Sequence, residues 1–233
     1  MSTRLSFLQI TRLPELGLKV FVDAMGKERF TARSSSGFIV DSSSTRSVSA
    51  RYVEKIAGVE MLTDPFGKTY RVEATYYSEQ KFRLSIDDPE LIVINANASS
   101  RAFTGRLSEF SDFKIAIQPL EWIAEHVLEA LSKEVLSVRV FAAKVFDQKL
   151  SNAVQVRMSF DGGEIDVRPE IRKFLRREGV QFASLKVSFD HAGASRRCEI
   201  KPNGTVQMFG PYDPVMQELW IRVVMAFRKH GRS

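Results

Sequence analysis

The stretch CEIKPNGTVQMFG, residues 198–210, decides the fold. Cys198 and Ile200 alternate with Glu199 and Lys201, so one side is apolar and the other charged, as in a strand that lines a core with one face. Pro202-Asn203-Gly204 follows, and this turn can adopt the positive φ angles of a tight hairpin. The segment therefore predicts an antiparallel hairpin with Cys198 turned inward and chemically inert.

The same period-2 alternation recurs along the chain. It is seen at Leu16, Leu18, Val20 and Val22, then at Tyr70, Val72, Ala74 and Tyr76, and at Phe82, Leu84 and Ile86. It returns at Phe113, Ile115 and Ile117, at Val154, Val156, Met158 and Phe160, and at Leu185, Val187 and Phe189. Residues 91–94 (LIVI) are apolar throughout, like a central strand, and Asp161-Gly162-Gly163 offers a second hairpin turn. Four segments read as helices. Residues 46–57 place Val48, Tyr52 and Ile56 on one face and stop at Gly58. Residues 119–132 keep Leu120, Ile123, Val127, Leu128 and Leu131 together, with Trp122 on the polar side as a candidate interface aromatic. Residues 169–178 start at Pro169 and turn Ile171, Phe174 and Leu175 inward, and residues 214–229 follow an Asp213-Pro214 start signal. The serine-rich segment 34–50 reads as a loop. These elements predict an α+β fold of antiparallel sheets with amphipathic helices on one face, in two unequal halves. One half spans 1–134 and closes with helix 119–132; the other spans 135–233.

Composition narrows the function. The chain has 233 residues, 44% of them apolar, and one cysteine, which excludes a disulfide-stapled scaffold. No apolar run approaches the ~18 residues of a membrane span. Charges at Arg4, Arg12, Glu15 and Lys19 break every candidate signal-peptide core. The expectation is a soluble, cytoplasmic protein with no membrane partner. The net charge of +6 is unevenly placed: residues 1–166 carry 21 Lys+Arg against 22 Asp+Glu, whereas residues 167–233 carry 13 against 6. Such asymmetry suggests a polyanionic partner.

Within the basic third, Arg172, Lys173, Arg176 and Arg177 fall opposite the apolar face of helix 169–178, where they can neutralise phosphates without reading sequence. Outward cations are also what an ordinary solvated helix face shows. Arg196 and Arg197 precede a strand, and Lys201 ends one. Arg228-Lys229-His230 and Arg232 form a basic tail, equally suited to capping a helix dipole. Asp190 followed by Glu199-Ile200-Lys201 echoes the metal-dependent PD-(D/E)xK nucleases, in which two carboxylates hold Mg²⁺ and a lysine positions water. Other chemistries fail on spacing. Gly67-Lys68-Thr69 lacks the earlier glycine of a phosphate-binding loop, because Leu62 stands in its place. No hydrolase, zincin or dinucleotide signature is present. No cofactor and no structural metal are expected.

Residues 152–231 resemble one repeat of the TATA-box-binding-protein-like (helix-grip) fold. The order is a strand (AVQVRMSF), a short helix (RPEIRKFLRRE), a strand (FASLKVSF), a hairpin with Gly204 and Gly210 at the family's two glycine positions, and a long helix ending AFRKH. In that family a curved sheet grips a nucleic-acid groove. The resemblance implies that Glu199, Lys201, Thr205 and Gln207 line the concave face and that Cys198, Ile200, Val206 and Met208 face the helix. Lys201 stands where a wedging phenylalanine would be expected, so backbone contact rather than intercalation is implied.

The sequence thus points to a non-enzymatic nucleic-acid-binding protein or complex subunit, with DNA or RNA held by Arg172, Lys173, Arg176, Arg177, Arg196, Arg197 and Lys201. A protein-interaction module, acting through a protein partner or a homo-oligomer, is the first alternative. The Mg²⁺-dependent nuclease with Asp190, Glu199 and Lys201 is the second.

Overall fold

The computed structural model describes residues 2–11, 17–87, 91–95, 100–110, 116–151, 154–175 and 181–230. The chain divides into a main unit, residues 1–9 and 118–233, and a unit inserted within it, residues 10–117. Helix 119–132, expected to close the first half, belongs to the main unit with the C-terminal elements.

The main unit is an antiparallel sheet of strands β1 (Ser2–Thr11), β7 (Leu136–Ser151), β8 (Val154–Asp161), β9 (Phe182–His191), β10 (Ala194–Lys201) and β11 (Thr205–Phe209), in the order β1-β11-β10-β9-β7-β8. The hairpin at residues 198–210 forms as its alternation requires, with Cys198 opposite Met208 and Ile200 opposite Val206. All four are buried, together with Leu5, Phe7, Leu185, Val187 and Val140. Burial pushes the Cys198 thiol far up, which keeps it unreactive. The first strand closes on the last: Leu5 lies opposite Val206 and Arg4 opposite Gln207. Helix α3 (Ala124–Glu134) packs on α5 (Pro214–His230) and on the sheet, burying Val127, Leu128 and Leu131 against a stripe of Leu219, Trp220 and Val223.

The inserted unit carries four antiparallel strands, β2 (Ser36–Ser43), β3 (Ser47–Thr63), β4 (Thr69–Ser85) and β5 (Leu91–Ile94), neighbours in that order, with helices α1 (Gly17–Lys27) and α2 (Ser100–Phe110). Phe38, Tyr52, Phe82 and Phe103 form its aromatic centre, with ring centroids of Phe82 and Phe103 4.5 Å apart. The short strand β6 (Ala116–Pro119) leads out of it.

Several sequence expectations are corrected here. Of residues 46–57, expected as a helix, those from Ser47 on are strand. Val48, Tyr52 and Ile56 recur every four residues, a spacing that fits a helical face and also two strand periods. Pairing with Leu84, Gln80 and Tyr76 selects the strand. The reverse error occurs at 16–22, which is helical from Gly17 on and buries Leu18, Phe21 and Met25 at helical spacing. The serine-rich segment 34–50 is β2 and the start of β3, joined by a tight turn in which Ser44 and Ser47 bond each other. The helix expected from 119 starts at Ala124, and Phe113 and Ile115 lie outside the described residues.

Candidate nucleic-acid interface

Helix α4 (Arg168–Leu175) starts with an acid-capped turn. Asp166 accepts the Arg168 backbone N–H at 2.9 Å and pairs with its guanidinium at 2.6 Å. Burial pushes the Asp166 carboxyl up, but the Arg168 hydrogen bonds outweigh it and hold the group below its ordinary value. Ile171 anchors the helix in the core at 0% exposure. Phe174, expected inside, is 68% exposed and only edges against Phe160. Arg172 and Lys173 are exposed as predicted, whereas Arg176 and Arg177 lie outside the described residues. Arg172 also acts on Glu125 of α3: burial raises the Glu125 carboxyl, and the charges of His126 and Arg172 partly oppose that shift.

Arg196 and Arg197 point to opposite faces of β10, as adjacent strand residues must. Arg196 pairs with Asp213 at 3.0 Å, and Asp213 in turn accepts the Val215 N–H at the start of α5. Its role here is to fasten β10 to that helix start. Arg197 is exposed, with its guanidinium 5.4 Å from the centre of the Phe141 ring.

The sheet brings further cations to the face of Arg197. Residues directly opposite on neighbouring antiparallel strands share a face. One row runs Arg4, Gln207, Glu199, Lys186 across β1, β11, β10 and β9. A second joins Arg197, Ser188 and Arg139 across β10, β9 and β7. Lys201 lies two residues from Glu199, and Lys144 pairs with Ser184 of β9, so both belong to this face too. Arg4, Arg139, Lys144, Lys186, Arg197 and Lys201 thus surround Glu199, with Asp161 and Asp190 at the margins. Glu199 pairs with Lys201 at 3.5 Å, and Arg139 bonds the Ser188 hydroxyl and the Glu164 carbonyl. Glu199, Lys201 and Gln207 are half-buried on this side, while Thr205, expected beside them, is buried.

The nuclease arrangement does not assemble. Asp190 sits opposite Ser195 and Glu199 opposite Lys186, four residues along β9. That offset is ~13 Å of strand, too far for two carboxylates to share one Mg²⁺ at ~2 Å. Among the described residues no cluster of His, Cys, Asp and Glu is placed to hold a metal.

Trp122 is not an exposed aromatic. It is 5% exposed, because residues 120–123 are not helical and the helical wheel that put its indole on the polar side does not apply. Its ring packs between Phe7 and Phe227, and its indole N–H donates to the Lys201 carbonyl at 2.6 Å. Beside it Glu121, His126, Asn203 and Phe227 line an open cleft. Arg4, Arg139, Lys144 and Lys186 escaped sequence reasoning because only strand pairing places them beside Arg197. No protein-family model matches the chain, and no curated protein matches it.

Proposed function

We propose that the main unit is a non-enzymatic nucleic-acid-binding module that holds the phosphate backbone on the sheet face carrying Arg4, Arg139, Lys144, Lys186, Arg197 and Lys201. The observation that carries this reading is the charge of that face: cations from β1, β7, β9 and β10 converge there around Glu199. Neutralising several phosphates supplies affinity that is independent of sequence and serves DNA and RNA alike. Arg197, exposed with its guanidinium 5.4 Å from the centre of the Phe141 ring, can offer its hydrogen-bond donors to a phosphate. Arg172 and Lys173 on α4 add positive charge to the same unit, as do Arg176 and Arg177 by sequence. Arg196 stays with Asp213 and contributes to the fold.

Fluorescence anisotropy with labelled single- and double-stranded oligonucleotides tests the assignment. Reversing Lys186 and Arg197 to Glu should weaken binding at least tenfold, about 1.4 kcal/mol, on every sequence. Reversing Arg172 and Lys173 should weaken it less. Wild-type affinity in the Lys186/Arg197 variant would remove the sheet face from the account.

A further inference from the structure

The β3–β4 hairpin is far longer than the body of its unit needs. Strand pairing runs unbroken from Ser47 opposite Ser85 to Thr63 opposite Thr69. Burial stops much earlier: from Glu54 to Glu79 not one residue is buried. At its base Tyr77 edges on the Phe30 ring and the Lys55 N–H donates to the Ser35 carbonyl; beyond these contacts the hairpin is a ribbon without a buried residue, and a two-stranded ribbon alone is marginal in water. Its composition is not that of a solvated arm. Ile56, Leu62, Tyr70, Val72 and Tyr76 are all exposed, and Phe66 at the tip is 94% exposed.

Cross-strand pairing sorts these residues. The rows Ile56/Tyr76, Gly58/Ala74, Glu60/Val72 and Leu62/Tyr70 share one face. That face continues the one that buries Val48, Ala50, Tyr52, Phe82 and Leu84 in the unit's core. Glu60 is the sole carboxylate in the four rows, and it accepts the Tyr76 hydroxyl at 2.6 Å. The Tyr76 ring lies over Gly58, where any added Cβ would come within 2.5 Å of it. An aromatic thus covers the centre of the face.

We propose that this arm is a dimerisation element, in which the apolar face packs on the same face of a second copy, antiparallel, about a two-fold axis. The rows are their own complement under that operation. With the axis between the Gly58/Ala74 and Glu60/Val72 rows, Ile56 lies over Leu62 of the second copy and Tyr76 beside its Tyr70. The small Ala74 meets the larger Val72 across the axis, while the Tyr76 ring already covers Gly58. The area reaches the lower end of a specific interface. Exposures of 40–51% at Ile56, Leu62, Tyr70, Val72 and Tyr76 amount to roughly 400–500 Å² per copy, close to the ~1,000 Å² total that marks a specific interface. A heterologous protein partner would need no such self-matching.

Sedimentation of the full chain tests the proposal, and cross-linking tests its register. The wild type should be dimeric at high micromolar concentration, and Ile56→Lys with Leu62→Lys should make it monomeric with an unchanged circular dichroism spectrum. For register, an Ile56→Cys protein is mixed with a Leu62→Cys protein and treated with a short bismaleimide; native Cys198 is buried and stays silent. Covalent dimers should form in the mixture several-fold more than in either variant alone. A monomeric wild type, a dimer that survives the lysine substitutions, or equal cross-linking of Ile56→Cys alone would each overturn the proposal.

Discussion

The indole N–H of Trp122 donates to the backbone carbonyl of Lys201 at 2.6 Å, tying the segment before α3 to the end of β10. The Trp122 backbone N–H adds a bond to the Pro202 carbonyl at 3.0 Å, so the β10–β11 turn is held from outside the hairpin as well as from within. The same strand end presents the Lys201 side chain on the cationic face.

Replacing Trp122 with Ala should therefore cost about 3–5 kcal/mol, as for other buried aromatics. Trp122→Phe keeps most of the packing but orphans the Lys201 carbonyl, for about 1–3 kcal/mol. Urea unfolding of both variants reads the difference. A Trp122→Phe protein as stable as the wild type would mean that the hydrogen bond contributes nothing.

Gly204 closes that turn at φ +71°, and a Cβ there would come within 2.5 Å of the Leu120 carbonyl oxygen and 2.6 Å of the Phe7 carbonyl oxygen. Both obstacles are backbone and cannot swing away. Gly204→Ala should destabilise by at least about 2 kcal/mol, combining left-handed strain with displacement of those chains. Denaturant midpoints check this, with Gly163→Ala as the control, since Gly163 has a similar φ of +58° and open space around it.

This turn and its strands were legible in sequence because alternation and turn chemistry are both local. The failures were local too, but ambiguous. Val48, Tyr52 and Ile56 satisfy two periodicities at once, and Leu16 to Val22 is too short a run to separate them. What no local pattern carries is pairing. Arg4 joins the cationic face because the first strand of the chain pairs with β11, about 200 residues on, and Lys144 because β7 pairs with β9. The basic final third was therefore visible, but not the face on which Lys186, Arg197 and Lys201 join Arg4, Arg139 and Lys144 from outside it. The long arm was hidden for the same reason, since Tyr70 to Tyr76 alternates like any half-buried strand.

Asp166 gives a pH dependence of defined sign. Its folded value lies below the ordinary 3.8, so its contribution to stability is present above that value. It is lost as pH falls through the depressed folded value. Asp166→Asn should lower the melting temperature at neutral pH and flatten the decline below about pH 4. An acid limb as steep in the variant as in the wild type would contradict this.

Glu199 is the carboxylate in the middle of the cationic face and pairs with Lys201 at 3.5 Å. Glu199→Gln removes a like charge from the path of a phosphate and frees Lys201. Oligonucleotide affinity should rise several-fold, while folding stability changes by no more than about 1 kcal/mol. Reduced affinity would indicate that Glu199 takes part in binding.

The salt dependence of oligonucleotide affinity tests the central claim most directly. For a face that neutralises three or four phosphates, log Kd should rise linearly with log salt, with a slope of about 3 to 4 on duplex DNA. In the Lys186→Glu/Arg197→Glu variant the slope should fall by about two. An affinity that does not change with salt, or a slope identical in wild type and variant, would contradict nucleic-acid binding by this face.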